Sequence, residues 1–126
     1  MPAMPLNKRD VYLGRGLGAW AFWLHRLTGL AMAFYLLLHI VVISTVIGGK
    51  ANFDAAMGFL KSPLFVIGEM VLVAAICVHG FNGVRIVLFD LGMGIKKQKE
   101  IFVALMAVAV IPFLAAVVVA WPHIFA

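Results

Sequence analysis

The stretch His79-Gly80-Phe81-Asn82-Gly83-Val84-Arg85-Ile86-Val87-Leu88-Phe89-Asp90 puts a histidine, an arginine and an aspartate in or beside an otherwise apolar run. Ionisable groups at membrane depth are costly, and they face a bundle interior, a pathway or a cofactor. At about 100° per residue on a helix, Gly83 follows His79 one turn along on the same face, and Asp90 returns to that face three turns on. An imidazole with a glycine beneath it offers a ring beside a flat patch free of side chains. That is the local shape a porphyrin needs on one side of its iron.

An earlier stretch carries a second set: Trp23-Leu24-His25-Arg26-Leu27-Thr28-Gly29, with His39 further on. His25 and His39 lie fourteen residues apart, close to four helical turns, so they share a face with Phe22, Gly29, Met32 and Leu36. His25 and Arg26 read equally well as headgroup anchors. His39 sits between Leu36-Leu37-Leu38 and Ile40-Val41-Val42, where a histidine is either a ligand or a hydrogen-bonder between packed helices. His79 carries the same alternative. Arg85 is either a snorkelling arginine or a partner for an acidic group such as a haem propionate. Glu69, among Ile67, Met70 and Val71, is either a hydrogen-bonded packing group or part of a proton path. His123 follows Trp121-Pro122 and reads as interfacial.

The elements that position these groups follow from hydropathy. The chain has 126 residues, 65% of them hydrophobic and only 12% charged, with a mean hydropathy of +1.12. An ordinary soluble domain is not compatible with those values. A spanning helix needs about 20 apolar residues, and three such runs are present, about 18–47, 63–91 and 101–121. The expected fold is all-α: a single membrane domain over residues 1–126, with no room for a soluble catalytic unit. The first run is too long for a signal-peptide core and lacks a small-residue cleavage site, so it reads as a retained helix. Trp20 and Trp23 suit an interfacial belt at its start. Gly48-Gly49 closes it, and the segment from Lys50 to Pro63 has room for a short surface helix with Phe53, Met57 and Leu60 on one side. Ser62-Pro63 opens the second span, and Gly92 and Gly94 end it. The third span has no ionisable side chain and contains Pro112, a kink signal.

Basic residues set an orientation. Lys8, Arg9 and Arg15 precede the first span, and Lys96, Lys97 and Lys99 separate the second from the third. Lys50 and Lys61 are partly offset by Asp54, and the C-terminal tail has no lysine or arginine. The positive-inside rule puts the N-terminus and the lysine loop in the cytoplasm and the C-terminus outside. The net charge of +5 is that of loops near a lipid surface and gives no reason to invoke nucleic acid. Cys77, alone in an apolar run, reads as a small packing residue. There is no HExxH cluster, no phosphate-binding glycine loop and no Ser/His/Asp set, so no catalytic residue is assigned. The chemistry left is haem ligation, with quinone binding close by.

In this order and spacing, His25-Arg26-x-Thr28-Gly29 and His79-x3-Gly83-x-Arg85-x4-Asp90 resemble the cytochrome b membrane-anchor subunit of succinate dehydrogenase (complex II), in its prokaryotic two-anchor-subunit form. The resemblance covers nearly the whole chain. It implies half of a helix bundle completed by a second three-helix anchor in a prokaryotic cytoplasmic membrane, with a flavoprotein and an iron–sulfur subunit docked on the cytoplasmic face. It further implies haem b between the anchors and quinone reduction near the iron–sulfur subunit. Carried over by position, His79 matches the axial ligand of the haem iron, with Gly83 in the same motif. His25 and Arg26 match residues near the propionates and the quinone. Many relatives have a serine three residues before the motif histidine; here that position is Phe22. The departure leaves Arg26 as this chain's quinone contact and moves the others to partner subunits. Quinol:fumarate reductase is the same machinery run backward and stays open. So does a haem-free role as a transporter component or assembly factor, with the histidines serving packing.

Depth separates the two ligand candidates. His79 lies roughly 24 Å from the outer boundary and His39 roughly 13 Å, at 1.5 Å per residue. Ligands on opposite faces of one iron bring their nitrogens within about 4 Å, and a tilt of about 20° does not close that gap. The expectation is therefore two haems b, with His79 and His39 as axial ligands of separate irons. Diheme family members place such a ligand in the first helix. Glu69 lies at a depth comparable to His39, so the two are expected near one another.

Overall fold

A computed structural model describes residues 16–125 of the chain. Lys8, Arg9 and Arg15, which carry part of the orientation signal, lie outside the described residues. Among the described residues four α-helices follow one another: α1 (Leu17–Ser44), α2 (Lys50–Leu60), α3 (Pro63–Asp90) and α4 (Gln98–Phe125). Single 3-10 turns at Thr45–Gly48 and Ile95–Lys97 lead into α2 and α4. Among the described residues there is no strand. The three long helices are each apolar and long enough to cross a membrane, so the fold is an all-α, three-helix membrane protein.

The helix ends follow from local chemistry. Gly16, extended at φ −100° and ψ 155°, precedes α1, and its carbonyl accepts from Ala19 and Trp20 at 3.1 and 3.2 Å. At the far end the Ser44 and Thr45 hydroxyls turn back onto the carbonyls of Val41 and Val42, both at 2.6 Å. Gly49 then adopts φ 92°, a left-handed conformation that an L side chain resists, and the chain reverses into α2. The short surface helix expected there is present. Lys50 and Asp54 pair across one turn of it, and Asn52 donates back to the Gly48 carbonyl at 3.0 Å.

Pro63 occupies the first turn of α3, where its missing N–H costs nothing. Gly92 and Gly94, at φ 76° and 73°, end that span. The third helix starts earlier than hydropathy alone suggests. It begins at Gln98, so Lys99 and Glu100 fall within it, and Glu100 sits in the first turn, where a carboxylate opposes the helix dipole. It runs uninterrupted through Pro112 and Pro122; Pro112 simply has no N–H to give the Val108 carbonyl.

Helix α3 is central. It packs against both α1 and α4, which meet each other much less. The buried apolar residues are few and mostly small: Ala21, Val66, Phe102, Ala109 and Ala120. Lipid tails are as apolar as leucine, so small residues and polar contacts, rather than hydrophobic burial, bring such helices together. Accordingly, the one large side chain that is completely buried is polar, Asn82. The bundle has a lysine end, where α1 begins, α3 finishes and α4 begins, and an opposite end covered by α2.

Candidate functional site

Near the lysine end, α1 and α3 bring His25 and His79 face to face. Their rings stack with centroids 3.9 Å apart and planes 11° from parallel. A glycine on each helix faces the ring from the other, and the approach is tight at Gly29. A Cβ on Gly29 would stand 3.1 Å from His79 Cε1, and one on Gly83 would stand 3.7 Å from His25 Cε1. The flat patch at Gly83 thus lies against His25, while His79 rests on Gly29. The i, i+4 spacing places His79 and Gly83 on one face of α3, but it cannot say which ring from the facing helix occupies the gap.

His79 is held by its Nδ1, 3.1 Å from the His25 backbone carbonyl and 3.3 Å from the Thr28 hydroxyl. A carbonyl oxygen can only accept, so Nδ1 carries the hydrogen and donates it, which in the neutral ring leaves the lone pair on Nε2. A metal-bound imidazole is almost always oriented this way, with its other N–H on a carbonyl or carboxylate. His25 Nδ1 is buried with no hydrogen-bond partner among the described residues. A buried polar atom without a partner calls for an explanation, and an additional group at the site is one. As stacked, the two rings lie side by side and cannot approach one metal from opposite faces. At most one of them could hold a given metal, and the Nδ1 contacts of His79 leave its Nε2 the better placed.

Asn82 is 0% exposed and ties three parts of the site together. Its Nδ2 donates to the Ala21 carbonyl of α1 at 2.9 Å, and its Oδ1 accepts from Arg85 Nε at 2.9 Å. Arg85 does not snorkel; it is only 8% exposed. Its guanidinium carbon lies 5.1 Å from the Phe89 ring centroid and 5.6 Å from that of Phe102 on α4, within cation–π range. Among the described residues the only ion pair is Lys50–Asp54, so the Arg85 charge has no carboxylate, and Asp90 stands exposed at the end of α3. The sequence reading passed over Asn82, although an asparagine deep in an apolar run is itself a signal. Arg26 is exposed and lies 5.5 Å from the ring of Phe22.

His39 is elsewhere. It is exposed and lies 5.7 Å from the Tyr35 ring, in a groove of about 1130 Å³ between α1, α3 and α4 that α2 closes at one end. Glu69, Lys61 and His123 line the same groove, and neither His25 nor His79 does. Glu69 and His39 thus share one space, as their depths suggested. Among the described residues no three His, Cys, Asp or Glu side chains converge as a metal site; an axial site on a macrocycle needs only one.

Residues 5–119 match the family described as succinate dehydrogenase/fumarate reductase transmembrane subunit. The chain is similar to the succinate dehydrogenase hydrophobic membrane anchor subunit of Halobacterium salinarum, at 35% identity over 88 residues, covering 69% of this chain and 68% of that one. It is similar to the succinate dehydrogenase 2 membrane subunit of Mycobacterium tuberculosis at 30% identity over 82 residues, 65% of this chain and 60% of the relative. A third similar protein is the hydrophobic membrane anchor subunit of Thermoplasma acidophilum, 29% identical over 94 residues, covering 74% and 76% of the two chains.

Proposed function

Because the chain belongs to the succinate dehydrogenase/fumarate reductase transmembrane subunit family, we propose that it is a haem b-binding anchor through which electrons from succinate reach quinone. A second anchor, an iron–sulfur subunit and a flavoprotein complete the assembly. The observation carrying this reading is the seat of His79: Nδ1 donates to the His25 carbonyl at 3.1 Å, leaving Nε2 with its lone pair for an iron. A bound haem supplies a one-electron redox centre inside the bilayer. This chain's own residues do the holding. His79 would hold the iron through Nε2, and a further ligand would come from the partner anchor, since His25 is stacked beside His79 and not opposite it. Arg85, with no carboxylate partner among the described residues, offers its guanidinium to a propionate, and His25 borders the same space. Arg26, exposed one residue beyond His25, is the contact for quinone on this chain.

His39, whose exposed ring stands in the groove at the opposite end, would hold a second haem. The positive-inside rule places the lysine end in the cytoplasm of a prokaryotic cell, where the soluble subunits dock, and the groove end outside. The competing reading is a haem-free clamp, and the His25–His79 stack gives it some weight, because the stack also joins α1 to α3. Reduced-minus-oxidised difference spectra of the purified complex decide between them. Haem b bands present in the wild type and lost in His79→Ala support ligation; bands that persist unchanged in the variant reject it. Mass spectrometry of the co-purifying chains identifies the partners.

A further inference from the structure

One group in the seat of His79 has no part in the function proposed above: the Thr28 hydroxyl. Thr28 Oγ1 donates to the Leu24 carbonyl at 2.6 Å and lies 3.1 Å from the His25 carbonyl. Its single hydrogen is therefore spent on α1's own backbone, as threonines in membrane helices commonly do. Towards His79 Nδ1, 3.3 Å away, the oxygen has only lone pairs to offer. The His25 carbonyl, 3.1 Å from the same nitrogen, is likewise an acceptor. Two acceptors thus converge on one ring nitrogen, and next to Thr28 the bare Cα of Gly29 leaves room for Cε1.

We infer that Thr28 is the positioning residue of His79: its hydroxyl, oriented by Leu24, combines with the His25 carbonyl to keep the hydrogen on Nδ1 and to stop the ring from turning over. Ring reversal would swap Nδ1 for a carbon edge and lose both bonds. The choice of threonine follows from the geometry, since the hydroxyl must be pinned to the helix backbone before it can present only lone pairs to the ring. The tautomer stands on the contacts alone; its consequence for metal binding rests on the haem reading.

The test uses Thr28→Val, which keeps the β-branched shape and removes the hydroxyl, beside Thr28→Ser, which keeps the hydroxyl. In the full chain in lipid bilayers, ¹⁵N spectra of histidine-labelled protein show His79 protonated at Nδ1 in the wild type and in Thr28→Ser. Thr28→Val shows an additional form protonated at Nε2. In the purified complex, Thr28→Val holds haem about 10- to 100-fold more weakly, the usual scale of a lost ligand-orienting bond. Its midpoint potential rises, because an N–H with fewer acceptors makes the imidazole a poorer electron donor. Thr28→Ser restores both. Wild-type protonation at Nε2, unchanged haem retention and potential in Thr28→Val, or equal losses in both variants would each overturn the inference. A wild-type complex without haem b would remove the haem reading, and the ¹⁵N spectra would then decide the role of Thr28 by themselves.

Discussion

At the scale of single residues, the polar groups near the lysine end divide into those that hold the helices and those left with capacity to bind. Asn82 belongs to the first group, using one amide end on Ala21 of α1 and the other on Arg85. Replacing it with leucine leaves Arg85 Nε without its acceptor inside the bundle. Asn82→Leu is therefore expected to destabilise the protein by about 1–3 kcal/mol, the usual cost of an orphaned buried donor, read as a lower Tm of the purified complex. Arg26 belongs to the second group, exposed and with only a ring for company. Arg26→Leu should cut quinone reduction while succinate oxidation with a soluble artificial acceptor survives. Equal loss of both activities would point to failed assembly instead. Glu69, on the groove with His39, is the candidate proton-exchanging group there. Glu69→Gln should alter turnover or haem midpoint potentials across pH, and if neither moves, Glu69 is a packing residue.

At the scale of elements, the α1–α3 contact is a reciprocal arrangement in which each helix provides one histidine and one glycine. The two glycines are not equally exacting. At Gly29 an added methyl would meet His79 Cε1 at 3.1 Å, closer than ordinary contact, whereas at Gly83 the nearest atom is at 3.7 Å. Gly29→Ala should therefore displace the His79 ring, reduce haem retention and shift the absorption bands. Gly83→Ala should be close to wild type in both. If the Gly83 variant proves the more damaging, the facing of rings and glycines described above is wrong.

At the scale of the whole molecule, the exposed apolar surface is extensive, and α1 in particular buries only Ala21. A helix so little covered by its own chain is built to meet lipid or a partner anchor. The two candidate ligands stand apart, half-buried His79 stacked on His25 and His39 in an open groove. If both bind iron, a pyridine haemochrome assay of the complex gives two haems b per flavin, and His39→Ala removes about one of them. One haem per flavin, or full haem content in His39→Ala, would leave His39 as a hydrogen-bonding residue. Reporter fusions at the C-terminus should be active outside the cell and inactive in the cytoplasm, as the lysines at positions 96, 97 and 99 imply.

Three spans, their order and the ends of the first two were legible in the sequence because these are local properties: run length against bilayer thickness, proline at a helix start, and glycine at positive φ where a helix must stop. The short helix after Gly49 was legible for the same reason. Earlier onset of α4 at Gln98 was not, because polar residues can extend a helix beyond its apolar run. Which histidine meets which glycine, the burial of Arg85, and the bond from Asn82 to Ala21 were decided only in three dimensions. The spanning helices are apolar nearly all round, so no polar face marks which side of each is interior. Rotation and crossing are then set by a handful of small and polar contacts, here Ala21, Thr28, Gly29, Asn82 and Gly83, which join residues such as His25 and His79 that stand 54 positions apart.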